Sequence, residues 1–193
     1  MFVESLSIPE VLRIRPLRFG DSRGYFSEIF SASAFRDHVV GVDFVQDNEA
    51  SSKAAGTLRG LHFQRAPRAQ GKLIRVIKGA IFDVAVDIRL GSPTYGRHVS
   101  ARLDGVLGDQ LWVPAGFAHG YCTLEPDTIV AYKVTYSYSP ADEGGVIWND
   151  PAIGIDWPDL GYSPVLSDKD LKLPCLANLR PAFVYDNEQE VVA

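Results

Sequence analysis

The chain has 193 residues, of which 46% are hydrophobic and 22% are charged, and its formal net charge is −5. This length allows one domain with a substantial core, and the acidic balance gives no general affinity for nucleic acid. Cys122 and Cys175 lie far apart and in no CxxC pair, so neither a disulfide framework nor a zinc ribbon is expected. Charged residues interrupt segment 1–16, and no apolar run reaches the length of a membrane span. We therefore expect one cytoplasmic domain, residues 1–193, with no membrane and no nucleic-acid partner.

The first predicted element is a short helix over residues 31–39. Ser31 or Ser33 can serve as its N-cap, because a serine hydroxyl accepts a hydrogen bond from a free N–H of the first turn. Helical signals elsewhere in this half of the chain are weak.

Two strands are predicted between Lys72 and Arg89, one on each side of a Lys78-Gly79 turn, because apolar residues alternate there. The second strand carries Asp83 and Asp87 on one face and apolar residues on the other. This pattern predicts one surface that faces a polar environment.

Further strands are predicted over 98–103, 110–113 and 128–138, the last rich in β-branched and aromatic residues. Ser167 with Asp170 three residues later favours the start of a second short helix. Many short strands separated by turn residues are typical of a barrel or a jelly roll.

Two histidines stand in similar apolar settings. His62 follows Arg59 in segment 57–64, and His119 lies in segment 114–120. This similarity predicts two strands of one barrel, with both histidines facing a shared cavity.

The spacing from Gly108 to His119 is similar to the second motif of the cupin superfamily. The first cupin motif usually carries His-x-His and a following Glu as metal ligands. Here Gln64 takes the second position, and no Glu follows at a suitable distance. Two histidines and an amide are a poor ligand set for iron or zinc, so no metal is expected. A histidine freed from a metal can act as a general base near neutral pH.

In several further segments, the chain resembles the dTDP-4-dehydrorhamnose 3,5-epimerase family of the cupin superfamily. Any one of these matches is weak, but their occurrence together and in order is specific. The matching segments are 19–28, 44–48, 56–64, 70–73, 82–89, 91–96, 114–120, 148–151, 155–158 and 166–170.

The resemblance implies a mainly β fold, a cupin-type jelly-roll sandwich or barrel with a few short helices. It implies an isomerase that inverts C3 and C5 of a dTDP-linked 4-keto-6-deoxyhexose and needs no cofactor. It also implies a homodimer in which the N-terminal arm, about residues 1–30, crosses to the neighbouring subunit.

The resemblance also implies a role for each matching site residue. His62 would be the base, and Asp170 would pair with it. Tyr132 would be the acid on the opposite face of the sugar, and Lys72 would stabilise the enolate oxygen, helped by Arg59 and His119. Asp83 is a second candidate partner for His62, and Asp168 is a nearby alternative to Asp170. The residues implied to bind the nucleotide sugar are Phe19, Arg23, Glu28, Gln46, Asn48, Arg59, His119, Tyr138 (stacked on thymine), Glu143 and Lys169.

One segment departs from the family pattern. Family members usually continue the Gln-Asp-Asn segment with His-Ser, whereas this chain has Glu49-Ala50 and about one extra residue before Gly56. We expect this change, within 49–55, to alter phosphate affinity or nucleobase choice.

Three other functions stay open at this point. They are a single-centre epimerase at C3 or C5, a metal-dependent cupin such as an oxygenase, and a sugar-binding cupin without catalysis.

Overall fold

The computed structural model describes residues 1–186 and consists mainly of strands. The end of the predicted domain, residues 187–193, lies outside the described residues. One α-helix, α1, spans Ala32–His38, and two 3₁₀ turns span Asp170–Lys172 and Leu176–Asn178. The strands are β1 (Phe2–Ser5), β2 (Leu12–Arg15), β3 (Phe19–Asp21), β4 (Gly24–Phe26), β5 (Gln46–Ser52), β6 (Leu58–Gln64), β7 (Lys72–Lys78), β8 (Ala80–Asp87), β9 (Arg89–Leu90), β10 (His98–Asp104), β11 (Gln110–Val113), β12 (Phe117–Thr123), β13 (Thr128–Val134), β14 (Glu143–Gly145) and β15 (Phe183–Val184).

Two antiparallel sheets form the body of the fold. The first sheet has the strand order β1-β2-β11-β7-β13-β5, and the second has the order β10-β8-β12-β6-β14. Most neighbouring strands come from distant parts of the chain, as in a jelly roll. The predicted mainly β jelly-roll fold is therefore confirmed.

The main core lies between the sheets. On β10, Val99, Ala101 and Leu103 are buried while the residues between them are more exposed, because successive strand residues point to opposite faces. They belong to one buried cluster with Ile74 and Leu111 of the first sheet. The apolar surface of each sheet is thus removed from water by the other.

A second cluster covers the outer face of the second sheet. Leu61 of β6 and Val86 of β8 pack with Ile153 and Leu176 of the C-terminal segment. This packing holds the segment across the sheet and brings the 3₁₀ turn at Asp170 next to β6.

The predicted polar face of β8 is not a solvent-facing surface. Asp83 and Asp87 are fully buried. The Asp87 carboxylate accepts hydrogen bonds from Arg89, Ser92 and Thr94, and Asp83 is paired as described below. The prediction was wrong because buried carboxylates with specific partners give the same alternation of polar and apolar residues as a solvent-exposed face.

The local prediction at α1 is confirmed, and those at Ser167 and for β13 are corrected, since Ser167 precedes only a three-residue 3₁₀ turn that begins at Asp170. Ser31 caps α1, its hydroxyl accepting from the N–H of Ala34, and the Ser167 hydroxyl accepts from the N–H of Asp170 at 3.1 Å. The predicted strand over 128–138 ends at Val134, where the Thr135 hydroxyl accepts the N–H of Gly71 at 2.8 Å and the chain leaves the sheet.

The two cysteines are free thiols, of which Cys122 is buried and Cys175 is half-buried. Among residues 1–186, no helix is long and apolar enough to cross a membrane.

Candidate active site

A cavity of about 500 Å³ lies between the two sheets and contains both histidines. An adjoining hollow of about 370 Å³ shares His62, Lys72 and Tyr132 with it. The cavity is lined by Ala50, Thr57, Leu58, Arg59, His62, Lys72, His119, Tyr121, Tyr132, Val165, Leu166, Ser167, Lys169 and Asp170. The hollow is lined by Gln46, Asn48, His62, Phe63, Gln64, Gln70, Lys72, Tyr132, Tyr138 and Glu143.

His62 pairs with Asp170 in the wall of the cavity. His62 Nε2 lies 2.6 Å from Asp170 Oδ1, with side chains 29% and 5% exposed. The bond to a carboxylate places the proton of neutral His62 on Nε2, which leaves the lone pair on Nδ1. The imidazole, which lines the cavity, can therefore accept a proton at Nδ1.

Asp170 stays ionised in this setting. Burial alone would raise its pKa, but hydrogen bonding and the positive charge of His62 lower it below its usual value. The Ser167 hydroxyl and the Gly60 backbone N–H contribute to the same effect. A carboxylate held ionised beside an imidazole stabilises the imidazolium that forms when the ring takes a proton. Asp168 is exposed, so Asp170 is the partner of His62.

Asp83 pairs with the other histidine, which corrects the alternative that it holds His62. His119 Nε2 lies 2.5 Å from Asp83 Oδ1, and both side chains are buried. His119 and His62 are register partners on β12 and β6, so the two histidines lie side by side in the second sheet. Asp83 reaches His119 because β8 lies on the far side of β12 from β6.

Lys72 lies on β7 of the first sheet, opposite the histidines. Its Nζ donates to the backbone carbonyl of His62 at 3.1 Å. Burial lowers the pKa of Lys72 to about 8, although the charges of Asp83 and Glu143 act in the opposite direction. The lysine is thus a largely charged donor at neutral pH that is held next to the imidazole.

Tyr132 also belongs to the first sheet, on β13. Burial raises its pKa, and the positive charge of Arg59 partly offsets this rise. Its hydroxyl therefore stays protonated at neutral pH and can donate a proton. Arg59, on β6, has its guanidinium held by the Ser51 carbonyl at 3.1 Å.

The adjoining hollow contains a chain of polar contacts. The Tyr138 hydroxyl donates to Glu143 at 3.0 Å, and Lys169 Nζ lies 2.5 Å from the same carboxylate. Burial would raise the pKa of Glu143, but these two partners lower it. Gln46 accepts the N–H of Tyr138 at 3.0 Å and donates to Asn48 at 2.7 Å. Five of the predicted substrate-binding residues are therefore brought together here.

Gln64, at the missing ligand position, has both ends of its amide engaged. It donates to the carbonyls of Arg68 and Ser137 and accepts the N–H of Ser139. These bonds hold the loop that carries Tyr138 and engage both N–H groups of the amide. Within residues 1–186, no group of three or more His, Cys, Asp or Glu side chains could hold a metal ion.

Three predicted residues lie away from the cavity of this chain. Phe19 and Arg23 belong to the exposed hairpin of β3 and β4, where Arg23 pairs with Asp21 at 2.6 Å, and Glu28 is exposed beyond it. None of the three lines the cavity or the hollow.

The two residues that replace the family's His-Ser, Glu49 and Ala50, lie on opposite faces of β5. Glu49 is exposed and lines a separate hollow with Asp47 and Lys133, whereas Ala50 lines the cavity. Alternation along the strand separates them. The added negative charge thus points away from the cavity, and the missing hydroxyl lies in its wall.

Sequence reasoning missed Tyr121, which also lines the cavity. Its position two residues after His119 on the same strand places it on the same face, and this spacing could have identified it.

The family model described as dTDP-4-dehydrorhamnose 3,5-epimerase matches residues 5–178. A relative of that name from Sinorhizobium fredii is 57% identical over 185 residues, which cover 96% of this chain and 94% of the relative. A solved epimerase from Legionella pneumophila, in complex with dTDP-4-keto-L-rhamnose, has a TM-score of 0.91 at 42% identity and covers 96% of this chain and 98% of its own. A solved 3'-monoepimerase from Streptomyces bikiniensis, in complex with dTDP-quinovose, has a TM-score of 0.84 at 36% identity and covers 90% of this chain and 87% of its own. The chain belongs to the dTDP-4-dehydrorhamnose 3,5-epimerase family.

Proposed function

We propose that the protein inverts C3 and C5 of dTDP-4-keto-6-deoxyglucose and forms dTDP-4-dehydrorhamnose. The observation that carries this proposal is that His62 on one sheet, paired with Asp170, and Tyr132 on the facing sheet line one cavity. Inversion at carbon needs a base on one face of the sugar ring and an acid on the other.

His62 takes the proton from the carbon next to the C4 ketone. The electron pair of the broken C–H bond forms the C=C bond of an enolate, and the ketone oxygen takes the negative charge. Lys72, Arg59 and His119 surround the space in which that charge develops, where fixed donors lower the barrier.

Tyr132 then gives its hydroxyl proton to the opposite face of the same carbon. The C4 carbonyl forms again, and the centre is inverted. Tyr132 recovers a proton from solvent, and the imidazolium of His62 loses one to solvent, so the two groups are ready for the second centre.

The nucleoside part of the substrate occupies the adjoining hollow. Tyr138 supplies an aromatic face for the thymine, and Gln46, Asn48, Glu143 and Lys169 supply polar contacts. The protein acts as a homodimer in which Phe19, Arg23 and Glu28 of one subunit serve the site of the other. The exposed aromatic side chains of that hairpin, 62% at Phe19 and 70% at Phe26, support this arm exchange. Independence from a cofactor and a cytoplasmic location stay predictions from the sequence.

The test is incubation with dTDP-4-keto-6-deoxyglucose in deuterated water, followed by NMR. We expect deuterium at both C3 and C5 and a product with both centres inverted. A product unlabelled at both positions would contradict the proposal.

A single-centre epimerase is the second candidate, favoured by the likeness to the solved 3'-monoepimerase. The same base and acid serve either outcome, because the difference lies in whether the intermediate ring turns within the cavity. Labelling at only one of the two carbons would select this candidate.

A further inference from the structure

The side chain of Tyr121 holds a buried polar atom without a partner. Tyr121 is 5% exposed, and its hydroxyl oxygen has no hydrogen-bond partner within residues 1–186. Such a group costs stability, so nearly all buried hydroxyls in folded proteins are paired. The presence of a hydroxyl at this buried position is therefore not explained by a contact within residues 1–186.

The ring and the hydroxyl of Tyr121 have different surroundings. The residue belongs to the buried cluster between the sheets, which includes Val76 and Val130, and a phenylalanine would fill the same space. Yet Tyr121 also lines the cavity with His62 and Tyr132. The unpaired hydroxyl thus belongs to a side chain in the wall where the sugar is proposed to react.

The neighbours of Tyr121 set the chemistry of its hydroxyl. On β12 it is the register partner of Arg59 on one side and of Asp83 on the other. Asp83 Oδ1 is taken by His119, whereas Arg59 faces the cavity. Burial raises the pKa of Tyr121, so the hydroxyl keeps its proton and serves as a donor. A neutral donor next to a guanidinium suits an oxygen that carries negative charge.

We propose that the Tyr121 hydroxyl donates a hydrogen bond to an anionic oxygen of the bound nucleotide sugar, beside Arg59. The proposal rests on the proposed function, because it concerns the same cavity. The anionic oxygen belongs either to the diphosphate, which is charged before the reaction, or to the enolate, which exists only during it. Both oxygens accept the same kind of bond, and they differ in when the bond forms.

Tyr121→Phe tests the proposal because it removes the hydroxyl and keeps the ring. Without ligand, we expect the variant to melt at the same temperature as the parent or higher, since the unpaired polar group is gone. For a diphosphate contact, the Kd for dTDP rises about tenfold or more. For an enolate contact, dTDP binds as before, and kcat falls by a similar factor. Tyr95→Phe is the matched control, since Tyr95 is 39% exposed and lines neither the cavity nor the hollow.

Either of these two losses, together with retained thermal stability and an unchanged control, supports the proposal. A Tyr121→Phe protein with the parent Kd for dTDP and the parent kcat overturns it, because the hydroxyl would then contact no charged oxygen. A loss of activity with a lower melting temperature also overturns it, since the hydroxyl would then act through the fold. Failure of the proposed function is a separate result. In that case the parent protein does not exchange the sugar protons with solvent, whereas the Kd values of parent and variant for dTDP can still be measured.

Discussion

The lowered pKa of Lys72 makes a quantitative prediction about the alkaline limb of the rate. The half-buried side chain has a pKa of about 8. The charged fraction of such a group falls from about nine-tenths at pH 7 to about one-tenth at pH 9. Because the enolate oxygen needs a cationic donor, we expect kcat/KM to fall about tenfold over this range. The assay is the initial rate of deuterium incorporation between pH 6 and pH 10.

Lys72→Met separates this effect from other titrations. The variant loses most of its activity, and the remaining rate no longer falls between pH 7 and pH 9. Lys133→Met is the control, because Lys133 pairs with Asp47 and its substitution leaves Lys72 in place. We expect the rate of this variant to fall between pH 7 and pH 9 as that of the parent does. A parent rate that stays flat to pH 10, or a limb that persists in Lys72→Met, would refute the reasoning.

The same shift predicts how stability depends on pH. Below pH 8 the lysine is charged in both the folded and the unfolded chain, so the full cost of burying its charge is present, about 3 kcal/mol. As the pH rises from 8 towards 10.5, the folded protein loses this proton first, and the cost is relieved. Lys72→Met is therefore more stable than the parent at pH 7, and by pH 9.5 this difference falls to roughly half. Urea unfolding of both proteins at the two pH values measures it, and a constant difference would contradict the shift.

Two further substitutions test the other proposed roles. Asp170→Asn removes the carboxylate that orients His62 and should lower kcat by a factor of roughly 10² to 10⁴. The control is Asp168→Asn at an exposed neighbouring position, which should leave kcat within twofold of the parent. Equal effects of the two substitutions would contradict the pairing of Asp170 with His62. Tyr132→Phe should still release the sugar protons to deuterated water but form inverted product much more slowly than either the parent or Tyr95→Phe; NMR follows both processes, and inverted product at the parent rate would exclude Tyr132 as the acid.

The strands β7, β8, β10, β11 and β13 could be predicted because alternation and turn residues are local signals. The similar settings of His62 and His119 indicated two strands of one barrel that face a shared cavity, and both residues line one cavity. The cap at Ser31 was also predictable, since it depends on a contact within three residues.

The partners of the carboxylates could not be derived from local patterns. Asp83 and Asp170 lie on different segments, and only the strand order places Asp83 beside His119 and the C-terminal segment beside His62. The end of β13 at Val134 likewise depends on a contact with distant Gly71. The unpaired hydroxyl of Tyr121 is a property of the packed core, which no residue spacing reports.

The central claim is that His62 removes the sugar protons next to the ketone. The most direct measurement is the exchange of the C3 and C5 protons of dTDP-4-keto-6-deoxyglucose with deuterated water, followed by NMR for the parent and for His62→Ala. We expect the parent to label both carbons and His62→Ala to label neither above the enzyme-free background, while both proteins bind dTDP. Exchange at the parent rate in His62→Ala would show that another group is the base.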